Sequence, residues 1–484
     1  MASISTAPTG GPVQQGQAGN YTLPLVILTT LFFMWGFITC MNDILIPFLQ
    51  GIFDLTPAQA GFIQSAFFGA YFVISLLYFI ISINLGDPLA RIGYKNGIII
   101  GLITAAIGCF LFYPAAEAKL YSVFLMALFV LAAGITILQM AANPYVALLG
   151  TSSTSSSRLN LTQAFNSLGT TIAPVIGAKL IFETVGGREN MTADAVKTPY
   201  LCLGVTLLVI AVIIGVSKLP KFTGEKIEKG LGVLKFSHLT LGVIGIFMYV
   251  GGEVAIGSYL VRYFEELMGF SEATAAGYVA YYWGGAMVGR FTGAISLTDR
   301  PNTQKYGLMA IIIVIAVMSV YFVTNGNLQF AFIVLGLTAG NTIGFLIGKS
   351  APARTLSIFS LAVIGLLLVT VFTDGPVAMW SVIAIGLFNS IMFPTIFTLA
   401  IKDLGKYTSQ GSSLLVMAIV GGAIMTPVMG WIVGMLGGYQ LAFLFPIICY
   451  VFILYYGISG HEVKSAPASR GPQKVVKGVP SLQG

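Results

Sequence analysis

The stretch LYSVFLMALFVLAAGITILQMAANPYVAL, residues 120–148, decides the fold. It contains no charged side chain, and at 1.5 Å of rise per residue it outruns a hydrocarbon core of about 30 Å. Lipid satisfies no backbone hydrogen bonds, so such a run crosses a bilayer only as a helix. Comparable runs recur outward from it in both directions, from Leu25 to Ile458. Of the 484 residues 56% are hydrophobic and 8% are charged, whereas a soluble domain carries about 25% charged residues. Water is therefore not the solvent for most of this surface.

Breaks at charged and Gly/Pro/Ser-rich connections give helices near 25–50, 57–84, 95–114, 120–148, 159–184, 199–217, 237–267, 273–298, 304–324, 327–349, 355–373, 376–403, 409–436 and 439–458, fourteen in all. With a cytoplasmic N-terminus, eighteen Lys and Arg residues fall in inner connections and four in outer ones. This positive-inside bias puts both termini in the cytoplasm, as expected of a multi-pass protein of the cytoplasmic (inner) membrane. It also accounts for the net charge of +7 without invoking nucleic acid.

The chain divides into an N-terminal tail over 1–22, a six-helix bundle over 23–217, a lysine-rich cytoplasmic linker over 218–236, a second bundle over 237–460 and a tail over 461–484. An internal repeat supports the division. GTTIAPVIG from Gly169 and GAIMTPVMG from Gly422 share the pattern G-x-x-x-x-P-V-x-G, and about thirty residues upstream NPYV from Asn143 and FPTI from Phe393 each place a proline late in a helix. Duplication of a six-helix unit with a solute site between the halves is a common plan for secondary transporters.

Polar side chains at helix depth mark the candidate site. Asp43 in CMNDILIPF and Glu253 in YVGGEVAIGSY are carboxylates where ionised groups are costly, and both are candidates for cation coupling. Asn42, Gln139, Asn143, Gln163, Asn166 and Asn389 offer donors and acceptors without charge, which suits the hydroxyls of a neutral sugar. Gln163 and Asn166 are three apart and share a helix face. Phe393, with Trp35, Tyr71, Tyr249 and Tyr282, could stack on a sugar ring. Arg290 is a membrane-embedded cation that either pairs with a carboxylate or anchors a helix end. No P-loop, catalytic dyad or metal-ligand spacing is present, the four cysteines all lie within apolar runs, and neither an enzyme nor an ATP-driven pump is expected. No cofactor is implied beyond a coupling ion, H+ or Na+. The expected partners are a sugar and the lipid bilayer, with the chain a monomer. The competing reading is a fourteen-helix drug:proton antiporter.

MNDILIPF, AGFIQSAFFGAYF, AANPYV, SRLNLTQAFNSLGTTIAP, SYLVRYF, GRFTG, FPTIFTLAIKDLG and GSSLLVMAIVGGAIMTPVMG occur in order across both halves. Through them the chain resembles the fucose permease-like group of sugar:cation symporters in the major facilitator superfamily. The resemblance implies an all-α facilitator fold, alternating access and cation-driven uptake of a neutral monosaccharide. It also implies that Asp43 is the family's first-helix aspartate and that Gln163 and Asn166 are its fifth-helix polar pair. Two departures follow. Gln139 stands where fucose permeases carry a glutamate, which is more similar to the glucose/galactose and N-acetylglucosamine branch, while Glu253 stands where a fucose-type sequence has a glutamine. The family has twelve helices, so a hairpin at about 304–349 is the expected insertion.

Overall fold

The computed structural model describes residues 21–55, 57–178, 192–220, 222 and 229–463. Among them the N-terminal half contains α1 (Thr22–Phe53), α2 (Pro57–Leu85), a short α3 (Pro88–Ile92), α4 (Tyr94–Ala118), α5 (Tyr121–Leu148), α6 (Ser155–Ala178) and α7 (Lys197–Val216). The C-terminal half contains α8 (Ser237–Met268), α9 (Glu272–Ser296), α10 (Asn302–Val323), α11 (Leu328–Gly348), α12 (Pro352–Phe372), α13 (Gly375–Asn389), α14 (Met392–Ala400), α15 (Thr408–Met417), α16 (Gly421–Leu436), α17 (Tyr439–Ala442) and α18 (Phe445–Tyr455). No strand occurs among the described residues.

Among the described residues twelve helical segments are long and apolar enough to cross a membrane. The 24-residue α6 and the 25-residue α9 bring the long helical segments to fourteen, but they are too polar to qualify by hydropathy. The reason is their position. These two helices pack on each other where the halves meet, and α6 also lies along α1, so much of their surface is turned away from lipid. At the other extreme, 11% of the most apolar window of α10 is buried against 89% for the segment spanning α13 and α14. The α10–α11 hairpin therefore lies at the rim and presents Ile311, Val314, Ile315, Phe322 and Phe332 outward.

Three spans expected to be continuous are interrupted. The run near 376–403 breaks between Asn389 and Met392, because Pro394 has no N–H to donate to the Ser390 carbonyl four residues back. The run near 409–436 passes through a tight turn at Ala418–Val420, and the run near 439–458 divides into α17 and α18. The sequence pattern also missed α3, which Asp87 caps by accepting from Leu89 N at 3.0 Å and Ala90 N at 3.4 Å. Gly86 (φ 92°) and Gly93 (φ 82°) supply the left-handed turns on either side of it.

Helices in lipid gain little from hiding apolar surface from one another, so close packing of small residues must hold them. Along the α4–α5 contact a Cβ added at Gly108 would fall 2.3 Å from Leu131 N, and one at Gly134 would fall 2.2 Å from Ala105 N. Gly134→Val should therefore cost about 1–3 kcal/mol through overpacking. Gly307→Ala, which meets open space, should leave the apparent Tm in detergent unchanged. Equal melting of the two variants would contradict this packing.

Candidate functional site

The site is built on two prolines. A proline in a helix leaves the carbonyl four residues earlier without its partner. Pro394 frees Ser390 O, which accepts from Arg290 Nε at 3.1 Å. Pro144 frees Met140 O, which accepts from Ser412 Oγ at 2.9 Å. The two prolines of the internal repeat thus do the same work in each half, presenting a backbone acceptor deep in the bundle.

Arg290, on α9, is the centre of the first cluster. Its Nη2 lies 3.8 Å from Glu253 Oε1 on α8, and its Nη1 donates to Ser167 Oγ on α6. Ser167 Oγ lies 3.1 Å from the backbone carbonyl of Gln163. One guanidinium therefore ties the carboxylate of one half to the polar face of the other. Of the two roles open to Arg290 from sequence, pairing with a carboxylate is the one the structure shows. Around it Tyr282 donates to the Glu253 backbone carbonyl at 3.1 Å, Asn389 Nδ2 donates to Tyr282 Oη at 3.0 Å, and Tyr450 donates to Asn389 Oδ1 at 2.9 Å. Tyr249, one turn before Glu253, also reaches its carboxylate, and both Glu253 Oε1 and Tyr249 Oη are buried.

The second cluster lies on α5. Gln139 is 2% exposed, and its Nε2 donates to Tyr71 Oη at 2.9 Å. One turn later Asn143 is fully buried. Gln139 Oε1, Asn143 Oδ1 and Asn143 Nδ2 all lack partners. Orphaned buried polar atoms are uncommon and call for an explanation. Here they are uncharged and include both donors and acceptors.

The remaining expected residues separate. Gln163 is buried. Asn166, on the same helix, donates to Phe32 O on α1 at 3.0 Å, which is a bond between helices within one half. Asn389 is saturated by Tyr282 and Tyr450, and Phe393 stacks with Phe397 at a centroid distance of 6.0 Å. Tyr71 and Tyr282 serve as hydrogen-bonding struts. Asn42 and Asp43 lie on α1, and their side chains fall outside the described residues. Sequence reasoning missed Tyr450, which sits within an apolar run with nothing to single it out. It also missed Asp87.

Asp87 belongs to a set of links that close one end of the bundle. There Tyr94 Oη and Ser409 Oγ are 3.2 Å apart, Ser156 Oγ and Thr398 Oγ1 2.6 Å, and Ser153 Oγ donates to Asp299 Oδ2 at 2.9 Å. All of these cross between the halves. Asp87 is 1% exposed and accepts from Tyr78. Burial raises its carboxyl above the ordinary range, although hydrogen bonds from Tyr78, Ala90, Ser409 of the other half and Leu89 favour the ionised form.

Two halves that meet along polar helices, closed at one end by hydroxyl bonds, define a transporter working by alternating access. The Major Facilitator Superfamily model matches residues 26–353, and the chain belongs to that family; it is a transporter and not an enzyme. It is 46% identical over 467 residues to the glucose/galactose transporter of Brucella abortus, covering 95% of this chain and 99% of that one. It is 35% identical to the L-fucose-proton symporter of Escherichia coli, covering 91% and 94%. Among solved structures, the Major Facilitator Superfamily transporter FucP in the outward conformation superposes with a TM-score of 0.72 at 33% identity, covering 90% of this chain and 98% of that one.

Arg290→Leu should cost about 3–5 kcal/mol in folded stability, because it strands the buried Glu253 carboxylate. Adding Glu253→Gln should restore much of the loss, as read by melting in detergent; a double variant no better than the single would break the assignment. Asp87 makes a second prediction. Opening this end would hydrate its carboxyl and return it towards about 4, so the closed state binds the proton more tightly. Closure should weaken as pH rises from about 4 through the raised value. Distances between spin labels at positions 91 and 406 should lengthen over that range, and the pH response should vanish in Asp87→Asn.

Proposed function

We propose that the protein imports a neutral monosaccharide, glucose or galactose ahead of N-acetylglucosamine and fucose, in symport with a proton. The observation that carries this reading is the set of buried, unpartnered carboxamide atoms of Gln139 and Asn143. Sugar hydroxyls both donate and accept, so one ring can satisfy all three orphaned atoms, whereas a lipophilic cation can satisfy none of the donors. The identity to a glucose/galactose transporter over nearly the whole of both chains supports the choice of sugar. The likeness to a fucose-proton symporter supports the proton over sodium.

In this reading the chain lies in the cytoplasmic membrane as a monomer with both termini inside, and the closed end is cytoplasmic. The site then faces outward. Asp43 binds the proton, and Gln139, Asn143 and Gln163 bind hydroxyls, while Asn42, Asn166, Asn389 and Phe393 shape the walls. Glu253 supplies the carboxylate that Gln139 cannot. Protonation of Glu253 would release Arg290 from one partner and loosen its hold on Ser167, which gives coupling a physical route across the halves. The α10–α11 hairpin is an addition to the twelve-helix plan, and its even number of spans preserves the sidedness of everything after it. One charge moved inward supplies about 2.3 kcal/mol per 100 mV, or about fortyfold accumulation.

The test is uptake of labelled glucose, galactose and N-acetylglucosamine into proteoliposomes under a pH gradient, a sodium gradient or neither. Accumulation should follow the pH gradient and disappear in Asp43→Asn. Asn143→Leu should raise KM by about tenfold for the lost hydrogen bonds. Uptake that never exceeds equilibration would refute symport, and full accumulation by Glu253→Gln would remove Glu253 from the coupling.

A further inference from the structure

At the closed end of the bundle, α9, α10 and α11 enclose a cavity of about 390 Å3 that the transport reading does not use. Its polar wall comprises Ser296, Asn302, Lys305, Tyr306, Lys349 and Ser350. Lys305 is 6% exposed, and its ammonium donates to Ser350 Oγ at 2.7 Å. Among the described residues no carboxylate lies within 4.0 Å of it. The nearest acid in sequence, Asp299, is engaged by Ser153 of the other half. A buried cation without a counter-charge is costly unless something supplies one.

The surroundings add to the imbalance. Lys305 stands in the first turn of α10, where a helix already carries about half a positive charge and cations are disfavoured. Pro301 stands just before that helix and supplies no side-chain cap. Lys349 and Ser350 both adopt left-handed backbone, with φ of 49° and 57°, a conformation uncommon for residues other than glycine. The C-terminus of α11 offers about half a negative charge in return. Two ammonium groups and a helix N-terminus against that half charge leave about two net positive charges around the cavity, that of Lys305 being buried.

The cavity also reaches the lipid face. Tyr306 is 47% exposed and Leu346 43% exposed, and both line it. Beyond them Ile311, Val314, Ile315 and Ile347 form an apolar outer surface on α10 and α11. We propose that the cavity binds the phosphate of an anionic phospholipid headgroup, with the acyl chains lying along the outer face of the α10–α11 hairpin. Juxtamembrane lysines are known to attract anionic lipid in this way. Which leaflet supplies the lipid rests on the sidedness proposed above; the binding itself does not.

The test is native mass spectrometry of the full-length protein titrated with phosphatidylglycerol or phosphatidylcholine, each with and without millimolar inorganic phosphate. Phosphatidylglycerol should bind about thirtyfold more tightly than phosphatidylcholine, with about fivefold of this lost in Lys349→Gln and the rest in Lys305→Gln/Lys349→Gln. Lys349 is exposed, so if the double variant does not fold the single variant carries the decision. Equal affinity for the two lipids, or a preference unchanged in Lys349→Gln, would overturn the proposal. Displacement of the lipid by inorganic phosphate would reassign the cavity to a soluble anion and overturn it equally. Binding is read without sugar, so failure here leaves the transport result standing, and failure of transport leaves this one standing.

Discussion

A guanidinium inside a hydrocarbon slab must be met by acceptors, and the core of this protein is arranged around meeting one. Even the lowest scales put the insertion cost of arginine at about 2.5–3.5 kcal/mol. Arg290 offsets it with a carboxylate from α8, a serine hydroxyl from α6 and the Ser390 carbonyl. That carbonyl is available because Pro394 cannot use it, so the break between α13 and α14 belongs to the solvation of Arg290. Tyr282, Asn389 and Tyr450 then brace the same region with three further bonds. Removing the guanidinium would leave acceptors on three helices without their donor.

The same device appears in the other half. Pro144 frees Met140 O, and Ser412 reaches it from the opposite bundle. Here the freed carbonyl, buried deep in the bundle, joins one half to the other. The closing links are mostly hydroxyl bonds between neutral groups, each worth about 0.5–1.5 kcal/mol net. A handful of them amounts to a few kcal/mol, which is the scale on which two conformations remain interconvertible. Apolar helix packing within each half, stitched by close glycine contacts, is far costlier to undo. That contrast suits the proposed transport cycle, in which the halves would move as bodies while the hydroxyl links between them open and re-form.

Much of this could be read from sequence because lipid removes alternatives. A long uncharged run in hydrocarbon has one regular structure open to it, so the spanning helices followed from length and composition, while a lysine-rich linker and an internal repeat pointed to a division into two bundles. Glu253 and Arg290 were conspicuous for the same reason, being charges in the wrong solvent. Asp87 was not conspicuous, because a carboxylate in a turn beside basic residues looks solvated until another helix covers it. Asn166 and Gln163 looked equivalent at a spacing of three, yet Asn166 serves the contact with α1.

What the sequence determined by itself is therefore the set of spanning helices and the presence of polar groups at depth, both consequences of a solvent that cannot hydrogen-bond. The tertiary structure decided which of those groups are satisfied and which are left over. Partnership depends on the rotation of one helix against the next, and in lipid no amphipathic stripe of the soluble kind records that rotation. The pairing of Arg290 with Glu253, the saturation of Asn389 and the orphaned atoms of Gln139 and Asn143 could emerge only once the helices were packed.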